Sequence, residues 1–163
     1  MWENSLTHPC EQINEYISLH DCVVNRATLA DDNLSLTFDN GFWMLGGTKY
    51  NTAEDTVRTD RSEFKLIHFD KEMSTFSISK RHSLFGKHLC TTRHEIDIEN
   101  MIEKINSGAW VLEFVDQFHA YHGMMILGVI RLKKKPWWIE FQWSIDCEKA
   151  EYDWNCLCPD KKW

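Results

Sequence analysis

The sequence predicts a mainly β, antiparallel domain of the β-rich α+β class, and three observations carry that expectation. Two-residue alternation recurs. Leu34, Leu36 and Phe38 alternate with Ser35, Thr37 and Asp39, and Trp137, Ile139, Phe141, Trp143 and Ile145 alternate with Trp138, Glu140, Gln142, Ser144 and Asp146, as in strands with one buried face. Turn pairs such as Asn40-Gly41 and His122-Gly123 separate the apolar runs, as tight antiparallel connections require. Only one useful helical pattern stands between strands, too few for parallel βαβ units. A meander of about eight or nine strands would form a barrel or a strongly curved sheet, which removes or protects its edges.

From the N-terminus, a short helix is expected first. Thr7 can cap it, Pro9 falls in the first turn where a missing N–H costs nothing, and Cys10, Ile13 and Ile17 recur at helical spacing. Residues 19–29 are β-rich, and Asp31-Asp32-Asn33 is a polar turn. Asn40-Gly41 is the strongest hairpin signal, because both residues tolerate the positive φ of a type I′ turn; it would join 34–39 to a return strand at 42–45. Residues 46–61 are polar and read as a long loop, a kind often functional or mobile. A second hairpin is expected from Phe64, Leu66 and His68, a turn at 70–74, then Phe76 and Ile78. Residues 80–94 fit no element clearly.

The helix near 98–107 is better defined. Asp97 is a suitable cap, Ile98, Met101, Ile102 and Ile105 form one apolar stripe, and Ser107-Gly108 ends it. Strands at 110–121, 124–132 and 137–147 then close the fold. The residues beyond read as a C-terminal tail.

Residues 1–163 suit a single domain: no linker or internal repeat divides them, and a chain of this length can bury a core without metal or disulfide staples. Eight Trp and nine Phe are high counts for the length, and the eight Trp exceed what such a core needs, so some are expected at a pocket or interface. The net charge of −7 argues against general nucleic-acid binding and adhesion to anionic membranes. It suits docking on a basic protein partner. No basic-then-apolar leader opens the sequence, and no apolar run approaches the ~20 residues of a membrane helix. The six cysteines therefore read as reduced thiols of a cytoplasmic protein.

Residues 73–94 contain no Asp or Glu but hold Lys80, Arg81, Lys87 and Arg93 with three histidines. This reversal of sign marks either a site for an anion or a solvated basic loop. His82, His88, Cys90 and His94 are metal-ligand types, but their spacing matches no zinc motif and their neighbours are cationic. Cys156 and Cys158, with Cys147, lack paired four-ligand spacing. No metal or cofactor is expected. His20, Asp21 and Cys22 supply the types of a thiol nucleophile, but Asp21 would face away from the other two. Glu113 and His119 share a strand face by two-residue counting, and with Glu140 form the one acid–base candidate.

No Walker loop, dinucleotide fingerprint, nucleophile elbow or zinc-protease motif is present. The leading expectation is a non-enzymatic interaction module, acidic and aromatic, with an inhibitor or immunity-type role in this class. A third alternative is an enzyme built on Glu113, His119 and Glu140, and the nearer rival is a carrier or sensor of a small anionic ligand. Its β-barrel pocket would be walled by Trp43, Trp110, Trp138 and Trp143, with Lys80, Arg81, Lys87 or Arg93 at its mouth.

Overall fold

The computed structural model describes residues 1–84 and 87–163, the side chains at 83, 84, 88 and 89 excepted. Strands come in the order β1 (Asn4–Pro9), β2 (Ile17–Ser18), β3 (Cys22–Val24), β4 (Arg26–Ala30), β5 (Asn33–Phe38), β6 (Trp43–Met44), β7 (Val57–Thr59), β8 (Ser62–Ile67), β9 (Asp70–Leu84) and β10 (Lys87–Ile96). The helix α1 (Ile98–Asn106) follows, then β11 (Val111–Ala120), β12 (Gly123–Arg131), β13 (Trp138–Asp146), β14 (Lys149–Trp154) and β15 (Leu157–Lys162).

These make three antiparallel sheets, ordered β1-β14-β8-β5-β4, β10-β9-β13-β12-β11-β3 and β15-β7-β6-β2. Each sheet keeps two edges, so no closed barrel is found among the described residues, and the strands number fifteen rather than eight or nine. The mainly β, antiparallel character stands. No described helix is long and apolar enough to cross a membrane.

One core joins the sheets. Phe38 of β5 meets Phe114 of β11 edge to face at 5.8 Å, and Trp143 of β13 lies beneath Phe69 and Phe76. The helix adds Ile98, Met101 and Ile105 to that core. It starts at Asp97 and ends at Ser107, with Gly108 at φ +67, the left-handed position where glycine is least strained. Asp97 makes no side-chain cap bond.

Five expectations need correction. Residues 7–9 are not helical: they belong to β1, paired with β14 from Asn4↔Trp154 to Pro9↔Lys149. A helix of this length has little stability alone, whereas pairing here satisfies a ladder and leaves Pro9 at the end of an edge strand, where it removes no needed donor. Residues 149–162 are no tail. β14 is internal to the five-stranded sheet, with Ala150, Tyr152 and Trp154 buried.

The third correction concerns turns. Asn40-Gly41 joins no paired strands: β5 lies in the five-stranded sheet and β6 in the four-stranded one. Gly41 is required for closeness, because a Cβ there would lie 2.3 Å from the Asp60 and Thr59 carbonyl oxygens. The type I′ turn is at Asp31-Asp32, φ 48° and 58°, closing the β4–β5 hairpin at Ala30↔Asn33. Likewise β8 and β9 are not a hairpin. The chain changes sheet at His68, φ 50°, and residues 70–74 begin β9.

The fourth concerns the thiols. Cys10 and Cys147 form a disulfide with Cα atoms 6.1 Å apart; Cys22, Cys90, Cys156 and Cys158 are free. The loop at 46–61 is not structureless. Buried Asn51 donates to the Met44 and Asp55 carbonyls, and β7 lies inside it.

Candidate functional site

The register of the six-stranded sheet places side chains in rows on its outer face. One row runs Glu113, Val129, Glu140, Ser79, Arg93 across β11, β12, β13, β9 and β10. The row beside it carries Val111, Arg131 and Trp138, and two further rows carry Leu127 with Gln142, and Phe118 with Met125. Phe118, Met125, Leu127, Val129 and Trp138 thus form an apolar stripe along β12 and its neighbours. Phe118 and Trp138 are about half exposed, at 49% and 51%, and Trp137 beside them reaches 56%. Single exposed apolar residues are ordinary, but a contiguous patch on a sheet face is not.

The outer face of the five-stranded sheet is a contrast. Its central row is Ser5, Asp153, Glu63, Thr37, Arg26, and the next is Thr7, Glu151, Lys65, Ser35, Thr28. Lys65 pairs with Glu151 at 2.5 Å and Asp153 at 3.7 Å. That face is polar and carries charges of both signs.

Beyond the Ser79↔Glu140 pair β13 no longer pairs with β9, and β9 and β10 continue as a two-stranded arm to Leu84↔Lys87. Residues 80–84 and 87–94, which fit no element by sequence, lie in the two strands of this arm. At its root a groove of about 510 Å³ is lined by Ser79, Lys80, Arg81, Trp138, Ile139 and Glu140, among others. The structure therefore brings Lys80, Arg81 and Trp138 together. Arg93 lies on the same outer face, its Nε donating to Ser77 Oγ at 2.8 Å. Lys87 is exposed at the far end of the arm.

The other expected pocket walls are elsewhere. Trp143 is fully buried, and Trp110, half-buried, stacks on Phe76 at the edge of the core. Trp43 belongs to the four-stranded sheet, where the Arg58 guanidinium sits 4.2 Å over its ring and Trp163 lies at 5.2 Å. Four tryptophans do not wall one cavity.

The acid–base trio is divided by a β-bulge at Val115, between Phe114↔Gly128 and Asp116↔Leu127. One extra residue reverses the face of everything after it. Glu113 stays outside, bonded to Arg131 at 2.5 Å. His119, opposite buried Met124, turns inward and its Nδ1 donates to the Cys10 carbonyl at 2.9 Å. Glu113 and Glu140 share a row without His119.

Because of the same bulge, Gln117 and His119 face a second concavity of about 530 Å³ with Asn14, Ile17, His20 and Asp116. Gln117 and Asn14 neighbour the Tyr152 hydroxyl, whose pKa burial pushes up to about 12. His8 stacks on Tyr152; burial, and secondarily nearby His119, lower its pKa, while its bond to the Pro9 carbonyl opposes this. Sequence reasoning missed this site because nothing in the residues announces the bulge.

His20 donates from Nδ1 to the Val115 carbonyl, while burial pushes the Cys22 thiol up to about 12. A thiol so raised is not an activated nucleophile. His82 and His94 share the hydroxyl of Thr92 at 2.9 and 3.1 Å; the His88 side chain lies outside the described residues. Cys147 is in the disulfide, away from any set with Cys156 and Cys158. Among the described residues, no group of three or more His, Cys, Asp or Glu is arranged to hold a metal.

Comparison with protein-family models, with curated proteins and with solved structures finds no match to this chain, so its reading rests on its own geometry.

Proposed function

We propose that this chain is a non-enzymatic interaction module that docks on another protein through the outer face of its six-stranded sheet. The observation that carries the reading is the exposed pair Trp137 and Trp138 at one end of the Val129–Leu127–Met125–Phe118 stripe. Tryptophan in a desolvated contact commonly dominates binding energy, with losses of about 2 kcal/mol or more on truncation. The partner's sign follows from local charge rather than from the total. The net −7 pointed to a basic partner, yet Lys80, Arg81 and Arg93 flank the aromatic patch, which suits an acidic one.

The test is co-purification from the source cell with wild type and a Trp137→Ala/Trp138→Ala variant. A stoichiometric protein retained by wild type and lost by the variant, with the circular dichroism unchanged, supports the reading. No such protein, or equal retention by both, removes it.

A second reading, a small-ligand carrier, is favoured by the concavity holding Asn14, His20, Asp116, Gln117 and His119, which falls in the size range of ligand sites. A thermal-shift screen with metabolites and nucleotides tests it, and no stabilisation at millimolar ligand counts against it. The cytoplasmic expectation implied reduced thiols throughout, and the Cys10–Cys147 bond departs from that.

A further inference from the structure

We infer that β10 is an acceptor edge for strand addition, taking an extended acidic segment of a partner protein as a seventh strand of the six-stranded sheet. This rests on the docking reading and specifies its mode.

The other outermost strands of the three sheets are managed. β2 and β3 span two and three residues. β1 ends in Pro9, and β15 contains Pro159 and a register shift. β4 is closed by α1, because the Asn106 side chain accepts from the Ala27 N–H at 3.0 Å and donates to the Ala27 carbonyl at 2.8 Å. Where β11 runs past β3, it begins with the bulge, and the Val115 carbonyl is occupied by His20. Short strands, prolines, bulges and covers are how sheets avoid adventitious pairing.

β10 has ten residues and no proline; its register shift against β9, between His88 and Cys90, leaves 90–96 as a regular run, and among the described residues β9 is the one strand it pairs with. Alternate residues of such an edge turn their N–H and C=O groups outward, a ready template for a further strand. Its side chains select the occupant. Lys87 and Arg93 lie on β10 and Lys80 and Arg81 on β9 behind it, with no Asp or Glu from 73 to 94. A second copy of β10 would bring two basic strands into register, and like charges placed opposite each other repel. An acidic strand is attracted by the same residues.

The probe is an acetylated, amidated ten-residue peptide alternating Glu with Val, with the Lys–Val analogue as control. Labelled Glu–Val peptide is expected to bind and to slow amide exchange in β10 at least tenfold, leaving β1 and β4 unchanged. Lys87→Glu and Arg93→Glu should each weaken binding at least threefold. Arg93→Gln, which keeps a donor for Ser77, separates lost charge from disturbed folding and should weaken it less than Arg93→Glu. No binding, equal binding of the Lys–Val peptide, or protection confined to β1 or β4 overturns the inference. A natural partner that depends on Trp137 and Trp138 but leaves β10 exchange unaltered overturns strand addition alone; loss of that partner with peptide binding intact overturns the docking face alone.

Discussion

Breaking the Cys10–Cys147 bond should lower stability strongly without changing the fold. The bond links residues 137 apart, tying the end of β1 to the segment between β13 and β14. Closing a loop of that length lowers denatured-state entropy by the equivalent of about 5 kcal/mol, and removing native disulfides generally costs about 2–5 kcal/mol. For 163 residues, an unfolding entropy of roughly 2.1 cal/mol/K per residue converts that range into a fall in Tm of about 6–15 °C. The paired positions are buried, at 1% and 3% exposure, so Cys10→Ala/Cys147→Ala removes the link with little surface disturbance. Differential scanning calorimetry of this variant, and of wild type with and without reductant, measures the effect. Wild type in reductant should fall toward the variant, and the variant should be insensitive to reductant. A variant Tm within about 2 °C of wild type would refute the reasoning, as would equal reductant sensitivity in both proteins.

Three further outcomes are expected. Asn106→Ala leaves the fully buried Ala27 N–H and carbonyl without partners; at about 1–3 kcal/mol per unsatisfied group, urea unfolding should show a loss of about 2 kcal/mol or more, and a loss under 0.5 would mean that water replaces the amide. Gly128→Ala would place a Cβ 2.2 Å from the Glu113 carbonyl and 2.6 Å from the Phe141 ring, so overpacking should cost about 1–3 kcal/mol, whereas an unchanged unfolding midpoint would deny that close approach. Burial first, and His119 second, hold the His8 pKa below its ordinary value of 6.5. The unfolded chain then binds the extra proton, so His8's contribution is complete above pH 6.5 and declines as pH falls toward the folded pKa; His8→Phe should flatten that decline in Tm between pH 7 and 5, and an unaltered slope would count against it.

Legibility followed the range of the interactions. The helix near 98–107 was readable because its apolar stripe and Gly108 terminus are local. The strand through Phe141, Trp143 and Ile145 was readable because those three are buried on one face, whereas Trp137, counted on that face, lies outside β13 and is exposed. Ala150, Tyr152 and Trp154 alternate with Glu151 and Asp153 just as plainly, yet this run was passed over as a tail; its place between β1 and β8 depends on partners far along the chain. Thr7 to Ile17 met a helical template by coincidence, but Thr7 to Pro9 pair with that same distant strand and Ile17 pairs with Met44 of β6. Asp31-Asp32 and Asn40-Gly41 exchanged roles because sheet assignment, which sequence does not state, decides whether a turn closes a hairpin.

At the candidate site, the basic run at 73–94 and the half-exposed Trp138 were visible in the residues. That β13 ends at Trp138 while β9 and β10 continue was not. The bulge at Val115 did most to defeat counting, since it moves His119 from the face of Glu113 to the opposite one.

Site-specific photocrosslinking in the source cell tests the docking face most directly. Benzoylphenylalanine placed at Trp138 or Val129 on the six-stranded sheet, and at Glu63 on the five-stranded sheet, samples both outer faces in the intact protein. One discrete adduct to an acidic protein from positions 138 and 129, and none from 63, is the expected result. Adducts from 63 alone, or from none of the three, would contradict the account.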